Sequence, residues 1–194
     1  MKVIICPGIH PPELTQNFLT GLGQSIAAPL IFPADRYPAY SAKHILRFLY
    51  HQLGRSFDEP VLWIGFSAGV VGAIGAAHLW AMVGGQVRAF IALDGWGVPL
   101  LGDFPIHRLS HDAFTHWSSA LLSRGEGFYA EPPVAHLELW RSPQTAYGWW
   151  VNPVVYASTQ EKSVDVTKQS QPSISYIPTT AAEFLCILLT RYEE

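Results

Sequence analysis

The sequence contains few cysteines and few charged residues. Cys6 and Cys186 are the two cysteines among 194 residues, which is too few for a disulfide framework, and their spacing does not suit a metal site. Charged residues make up 14% of the chain and hydrophobic residues 49%, so much of the chain must be buried. The net charge of −3, without a long run of either sign, excludes an electrostatic footprint for nucleic acid.

The sequence also lacks the pattern of a secretory signal peptide. The apolar run Val3–Cys6 is followed at once by Pro7 and Gly8, so it is too short for such a segment, and a cytoplasmic protein is expected. The apolar stretch 66–85 is about as long as a membrane span. However, it follows a predicted strand and contains a histidine and five glycines. We therefore expect a helix buried within the protein and no stable membrane span.

The first half of the chain alternates between short apolar runs and helical patterns. Strands are predicted at 3–6, 29–33, 61–64 and 88–93, and helices at 12–23, at 41–53 and from Ser67 to Gly84. This alternation favours an α/β fold with a mostly parallel central sheet and helices on both faces. The length suits one domain spanning residues 1–194.

The second half is less regular. Ser110 is expected to cap a helix that runs to about Leu122, and 135–140 to form a fifth strand. A small lid is expected from about 98–130, and the polar segment 152–177 is expected to be an excursion from the fold. Thr180 and Glu183 form a capping box that predicts a last helix.

One sequence motif indicates a catalytic function. Gly65-Phe66-Ser67-Ala68-Gly69 stands between a predicted strand and a predicted helix, the context of the Gly-x-Ser-x-Gly nucleophile elbow. With the strand and helix order around it, the segment from 1 to about 97 resembles the α/β-hydrolase superfamily. The resemblance implies a three-layer sandwich and a serine hydrolase that acts on an ester or thioester through an acyl-enzyme at Ser67.

The resemblance also implies an oxyanion hole and an acid. The backbone N–H groups of Ala68 and Ile9 would hold the oxyanion, and the neighbouring His10 is an alternative that would line the pocket. Asp94 follows the fourth predicted strand and is the expected acid, although an Asp-Gly pair is also typical of a turn.

The base is where the sequence departs from the superfamily. Relatives usually carry the histidine in the loop before the final helix, and the segment 174–180 contains none. His136 would lie at the amino end of the predicted fifth strand, the wrong edge of the sheet for catalysis. His111 is therefore the predicted base, with His107 as the alternative.

The expected ligand is a small acyl substrate in a pocket lined by Phe66 and Trp96. No motif for a cofactor is visible, and no cofactor or metal is expected. A different hypothesis stays open, that of a hydrolase-fold protein that has lost its catalysis and binds a small molecule or another protein. The sequence does not indicate an oligomeric state.

Overall fold

The structure is a computed structural model that describes residues 1–23, 25–54, 56–120, 125–153 and 174–193. Its strands and helices in chain order are β1 (Lys2–Cys6), α1 (Pro12–Gly21), β2 (Leu30–Ile31), α2 (Ala42–Gln52), β3 (Val61–Phe66), α3 (Ala68–Met82), β4 (Val87–Leu93), β5 (Ile106–Ser110), α4 (Ala113–Ala120), β6 (Gly127–Ala130), α5 (His136–Arg141), β7 (Tyr147–Pro153), β8 (Ile174–Thr180) and α6 (Ala181–Glu193).

The eight strands form one mostly parallel sheet in the order β2-β1-β3-β4-β5-β6-β7-β8. Neighbouring strands from β2 to β6 pair in parallel, whereas β7 pairs antiparallel with both β6 and β8. Side chains of α1, α5 and α6 pack in the core on one face of the sheet, and those of α2 and α3 pack in the core on the other. The predicted α/β three-layer sandwich is confirmed.

The central strands are apolar throughout because helices cover both of their faces. Every residue of β3 is buried, and β4 is buried from Ala89 to Leu93. Such continuous burial is characteristic of parallel strands in the middle of an α/β sheet. Since parallel strands all end at the same edge, the residues that follow β3, β4 and β5 lie close together there.

Helix α3 accounts for the apolar stretch that resembles a membrane span. It begins at Ala68, directly after β3, and ends at Met82 after 15 residues. Gly72 lies against the backbone of the loop before α2, where an added Cβ would come within 2.3 Å of the Ala39 carbonyl oxygen. Within the described ranges, no helix has both the length and the apolar character needed to cross a bilayer.

The structure corrects two predictions in the second half. Residues 135–140 were expected to form a strand but give the short helix α5. The segment 98–130, expected to be a lid, contributes β5 and β6 to the sheet and α4 packed against them. The strands IHRLS and GFYA carry polar residues or glycine at buried positions, so neither shows the hydrophobic pattern of a core strand.

The ends of the late elements also differ in detail. Ser110 is the last residue of β5, and it is Asp112 Oδ1 that accepts the backbone N–H of Thr115 at the start of α4, at 2.6 Å. The expected end of that helix near Leu122 lies outside the described residues. The expected excursion at 152–177 also lies mostly outside them, but its last residues form part of β8. The capping box is confirmed, since Thr180 and Glu183 exchange two hydrogen bonds of 2.9 and 3.1 Å.

Candidate active site

Ser67 lies at a sharp turn between β3 and α3. Its backbone has φ 52° and ψ −122°, a conformation that non-glycine residues rarely adopt and that costs about 1–3 kcal/mol. The turn is held because the Ser67 backbone N–H donates to the Leu93 carbonyl oxygen at 2.9 Å, and Val70 N–H donates to the Ser67 carbonyl oxygen at 3.0 Å. The serine side chain is therefore presented at the carboxyl edge of the sheet.

Small residues around this turn allow the backbone to pass close to its neighbours. A Cβ on Gly69 would lie 2.1 Å from the Cys6 carbonyl oxygen, and a Cβ on Gly65 would lie 3.0 Å from the Val70 Cα. A Cβ on Gly8 would lie 3.0 Å from the Ser67 Cβ. The loop after β1 therefore packs directly against the serine.

Asp94 follows β4 and lies beside this turn. It also has a positive φ, 50°, and its N–H donates to the Leu109 carbonyl oxygen at 2.8 Å. The residue is only 6% exposed. Burial alone raises the pKa of the carboxyl, but hydrogen bonds from His111 and His136 outweigh burial and hold the pKa below its usual value. Asp94 is therefore a carboxylate at neutral pH.

His136, the first residue of α5, connects the two groups. Its Nδ1 lies 2.9 Å from Asp94 Oδ2, and its Nε2 lies 3.1 Å from Ser67 Oγ. With the proton on Nδ1, the ring donates a hydrogen bond to the carboxylate, and its Nε2 accepts a hydrogen bond from the serine hydroxyl. The ring is stacked on Phe66, with centroids 4.8 Å apart and an interplanar angle of 23°. The order along the chain is serine, acid, histidine.

His111 contacts the same carboxylate as His136. Its backbone N–H donates to Asp94 Oδ1 at 2.9 Å, and its Nδ1 lies 3.0 Å from Asp94 Oδ2. Its Nε2 is 3.4 Å from an oxygen of Asp112. The hydrogen bond to Asp94 raises the pKa of His111 above its ordinary value, against the opposing effect of burial. The predicted base thus contacts the acid, and within the described residues the ring hydrogen-bonded to Ser67 is that of His136.

The sequence reasoning missed His136 because it assigned 135–140 to a strand. In that assignment the histidine falls at the amino edge of the sheet. In the structure α5 follows β6, a parallel strand that ends at the carboxyl edge, so His136 begins its helix at that edge. Two signals for a helix were present: Pro132 and Pro133 just before it, and Glu138 in its first turn paired with Arg141 three residues later.

A cavity of about 300 Å³ lies in front of the serine. It is lined by Ser67, Ala68, Val71, Asp94, Gly95, Trp96, Val98, His111, Thr115 and His136. Trp96 is 65% exposed, and its Nε1 donates to Ser118 Oγ at 3.1 Å. Phe66, which was expected in the pocket, is fully buried beneath His136 and is not part of this lining.

Of the two backbone donors expected for an oxyanion hole, Ala68 follows the serine in the chain and Ile9 belongs to the loop after β1 that packs against it. Ala68 is the first residue of α3, so its N–H belongs to the helix terminus that has no partner within the helix. Ile9 follows Gly8, the residue packed on Ser67, and its side chain is 75% exposed. The positive end of the α3 dipole is directed at the same place.

The other two histidines named in the sequence analysis lie elsewhere. His107 is inside β5, where its Nε2 is 2.7 Å from the Tyr192 hydroxyl, and burial lowers its pKa to about 4. His10 packs against Phe66 and Trp140, and its Nδ1 is 2.9 Å from the Pro11 carbonyl oxygen. It lines a separate cavity of about 260 Å³ at the ends of β1 and β2.

Asp94 and the two histidines bonded to it also form a possible ligand set for a metal ion. Asp94, His111 and His136 each provide one oxygen or nitrogen atom, and these atoms lie within 4.8 Å of one another. Two histidines and a carboxylate are ligands that zinc accepts. In the structure these ring nitrogens are instead hydrogen-bonded to the carboxylate.

Comparisons with known proteins add nothing to this geometry. No protein-family model matches the sequence, and no curated protein matches it. What the arrangement can do chemically therefore follows from its atoms. A buried carboxylate orients an imidazole whose second nitrogen faces a serine hydroxyl, the arrangement in which a histidine can take the serine proton.

Proposed function

We propose that this protein is a serine hydrolase of the α/β-hydrolase type that cleaves an ester or thioester. The observation that carries the proposal is the continuous chain of hydrogen bonds from Ser67 Oγ through His136 to Asp94 Oδ2, at 3.1 and 2.9 Å. The strained turn at Ser67, the close glycines around it and the order serine, acid, histidine support the assignment to this superfamily.

His136, in place of the predicted His111, is the proposed general base. It takes the hydroxyl proton as Ser67 Oγ attacks the carbonyl carbon, and the oxyanion accepts hydrogen bonds from the N–H groups of Ala68 and Ile9. Collapse of the intermediate breaks the bond to the alcohol or thiol, which takes the proton back from His136. Water then attacks the acyl-enzyme with the same histidine as base, and releases the acid.

His111 is proposed to support the acid and not to touch the substrate carbonyl. It donates two hydrogen bonds to Asp94. These bonds keep the buried carboxylate ionised and fix its orientation toward His136. His111 is thus a positioning residue in this mechanism.

The size of the cavity favours a small acyl group. About 300 Å³ is at the lower end of the range for small-molecule sites, and Val71, Trp96 and Val98 supply apolar contacts. A short or medium acyl chain against Trp96 fits this lining.

Labelling with a fluorophosphonate probe tests the proposal directly. The wild-type protein should be labelled and should hydrolyse p-nitrophenyl acetate, and Ser67→Ala should lose both. Ser56→Ala, at a serine hydrogen-bonded to Asp58 in the loop before β3, is the matched control and should behave as wild type. A folded wild-type protein without labelling or hydrolysis would favour the alternative, a binding module on a hydrolase fold.

A metal-dependent hydrolase is the second candidate, because of the ligand set of Asp94, His111 and His136. It predicts that a chelator removes the activity and that zinc restores it. The serine mechanism predicts that the chelator leaves both labelling and hydrolysis unchanged. It further predicts that added zinc inhibits, since a metal on His136 would occupy the base.

A further inference from the structure

A cavity larger than the one in front of Ser67 lies at the opposite edge of the sheet. Its volume is about 810 Å³, and its walls come from the segments that precede β5 and β6 and from the end of α6. The end of the antiparallel strand β7 and residues of α4 complete it. None of the residues of the candidate active site lines it.

Polar atoms without partners are concentrated in this cavity. Seven buried side-chain nitrogen or oxygen atoms lack a hydrogen-bond partner within the described residues. Three of them, His107 Nδ1, Arg108 Nε and His116 Nδ1, belong to residues that line this cavity. Buried polar groups are nearly always hydrogen-bonded, so these three atoms single out this wall of the cavity as unusual.

Arg108 is the strongest of these signals. Its residue is 6% exposed, and the one protein acceptor of its guanidinium in the described structure is the His116 carbonyl oxygen, 3.2 Å from Nη1. It forms no ion pair among the residues that the structure describes. Burial disfavours the charged form and lowers the pKa of Arg108. An arginine in such a position is costly unless an anion balances it.

The other charges around the cavity already balance one another. Arg191 binds Glu126 with two hydrogen bonds of 2.7 and 3.3 Å. Burial lowers the pKa of His107 and of His116 to about 4, so both rings are neutral at physiological pH. Among the described residues that line it, the cavity therefore carries one uncompensated positive charge, and the neutral rings add hydrogen-bonding atoms without adding charge.

The rest of the lining is mostly apolar. Leu101, Phe104 and Trp117 are among the large side chains that contribute to it. Trp117 packs edge-on against His116, with ring centroids 4.9 Å apart, so the apolar wall lies next to the polar one. A bare inorganic ion would leave this wall in contact with water, whereas a molecule with an apolar body would cover it.

We propose that this cavity binds a small organic carboxylate with an apolar body, whose carboxylate pairs with Arg108 and whose body packs against Phe104 and Trp117. The guanidinium fork suits a carboxylate, and a charge-assisted hydrogen bond is about twice as strong as a neutral one. The site is independent of Ser67, so it stands whether or not the protein is a hydrolase.

Calorimetric titration with phenylbutyrate tests the proposal, with the neutral phenylbutyramide as the matched ligand. The carboxylate should bind at one site per chain, and the amide should bind at least about tenfold more weakly, as expected for the loss of hydrogen bonds to a charged group. Binding should change the fluorescence of Trp117. No saturable binding of the carboxylate, or equal binding of the amide, would overturn the proposal.

Amino-acid substitutions test where phenylbutyrate binds. Arg108→Gln should weaken phenylbutyrate binding at least about tenfold, and Ser67→Ala should leave it unchanged. If Arg108→Gln does not fold, the exposed rim residue Leu101 gives a second pair of variants. Leu101→Glu should weaken binding by charge repulsion, whereas Leu101→Gln should not. Binding that is lost in Ser67→Ala, or that is unaffected by both Arg108→Gln and Leu101→Glu, would contradict the assignment.

Competition with inorganic phosphate separates an organic anion from a simple oxyanion. Phosphate should displace phenylbutyrate only weakly because it cannot cover the apolar wall. If phosphate binds at Arg108 as tightly as phenylbutyrate, the requirement for an apolar body is wrong.

Discussion

The two edges of the sheet treat buried polar groups in opposite ways. At the carboxyl edge, Asp94 is buried and each of its oxygens accepts hydrogen bonds from nearby histidines. At the amino edge, Arg108 is equally buried, yet its Nε has no partner in the described structure. The carboxyl edge is pre-organised by the protein itself, whereas at the amino edge the described residues leave the Arg108 Nε without a hydrogen bond. A complete network is typical of a site that needs fixed geometry, and an incomplete one is typical of a binding site.

The roles of the two histidines at the carboxyl edge are most sharply tested by replacing each of them with glutamine. His136→Gln should lower kcat/KM for p-nitrophenyl acetate by at least about a thousandfold, because the base is removed. His111→Gln should cost less than about a hundredfold, because His136 still holds the carboxylate. Steady-state kinetics on both variants, with circular dichroism as the folding control, gives the comparison. An equal loss in the two variants would show that His136 is not the unique base.

The burial of two neutral histidines at the amino edge is tested by the pH dependence of the protein's stability. His107 and His116 have pKa values lowered from 6.5 to about 4 in the folded protein, so the unfolded chain binds more protons between these values. The free energy of unfolding should therefore fall as the pH is lowered through this window, by about 3 kcal/mol for each histidine at most. Denaturant titrations from neutral pH to about pH 4 measure the loss.

Single variants show how much of this loss of stability comes from one histidine. His116→Asn should remove its share of the pH dependence. The contribution of His111 to stability has the opposite pH dependence. Its pKa is raised in the folded protein, so the stability that it gives is complete below the unfolded pKa and is lost as the pH rises. A pH dependence that is identical in wild type and His116→Asn would show that His116 does not titrate as described.

Backbone packing at the carboxyl edge predicts a smaller effect on stability. Gly69→Ala places a Cβ 2.1 Å from the Cys6 carbonyl oxygen, so the backbone must shift, and the variant should lose about 1–3 kcal/mol. Gly75→Ala meets only the Ala42 side chain, at 3.0 Å, and gains helix propensity of about 1 kcal/mol. Urea denaturation of the pair should therefore separate them. Equal stabilities would mean that the approach of α3 to β1 is not tight.

The smallest expected effect concerns the acyl pocket. Trp96 lines the cavity in front of Ser67, and its indole N–H donates to Ser118 Oγ. Trp96→Ala should raise KM for p-nitrophenyl butyrate by several-fold while leaving kcat within about twofold, because it removes apolar contact and no reacting group. A large fall in kcat would instead assign Trp96 to the catalytic geometry.

Much of the first half of the fold could be predicted because its signals are local. Continuous apolar runs gave β1, β3 and β4, and helical spacing gave α2 and α3 to within a few residues. Ser67 and Asp94 were expected at one edge because each follows a strand of a parallel sheet, and the structure places them there. The second half could not be predicted as well, since β5 and β6 carry His107, Arg108 and Gly127 at positions that a core strand usually gives to apolar residues.

The sequence by itself determined the α/β alternation, the turn at Ser67 and the proximity of Asp94, because local periodicity and strand ends decide these features. Only the tertiary structure decided which histidine faces Ser67, since His136 lies 69 residues further along the chain. It also decided that Arg108 is buried without a carboxylate partner in the described structure. Both outcomes depend on how the chain after β4 folds back on the sheet, and contacts between distant residues leave no periodic signal in the sequence.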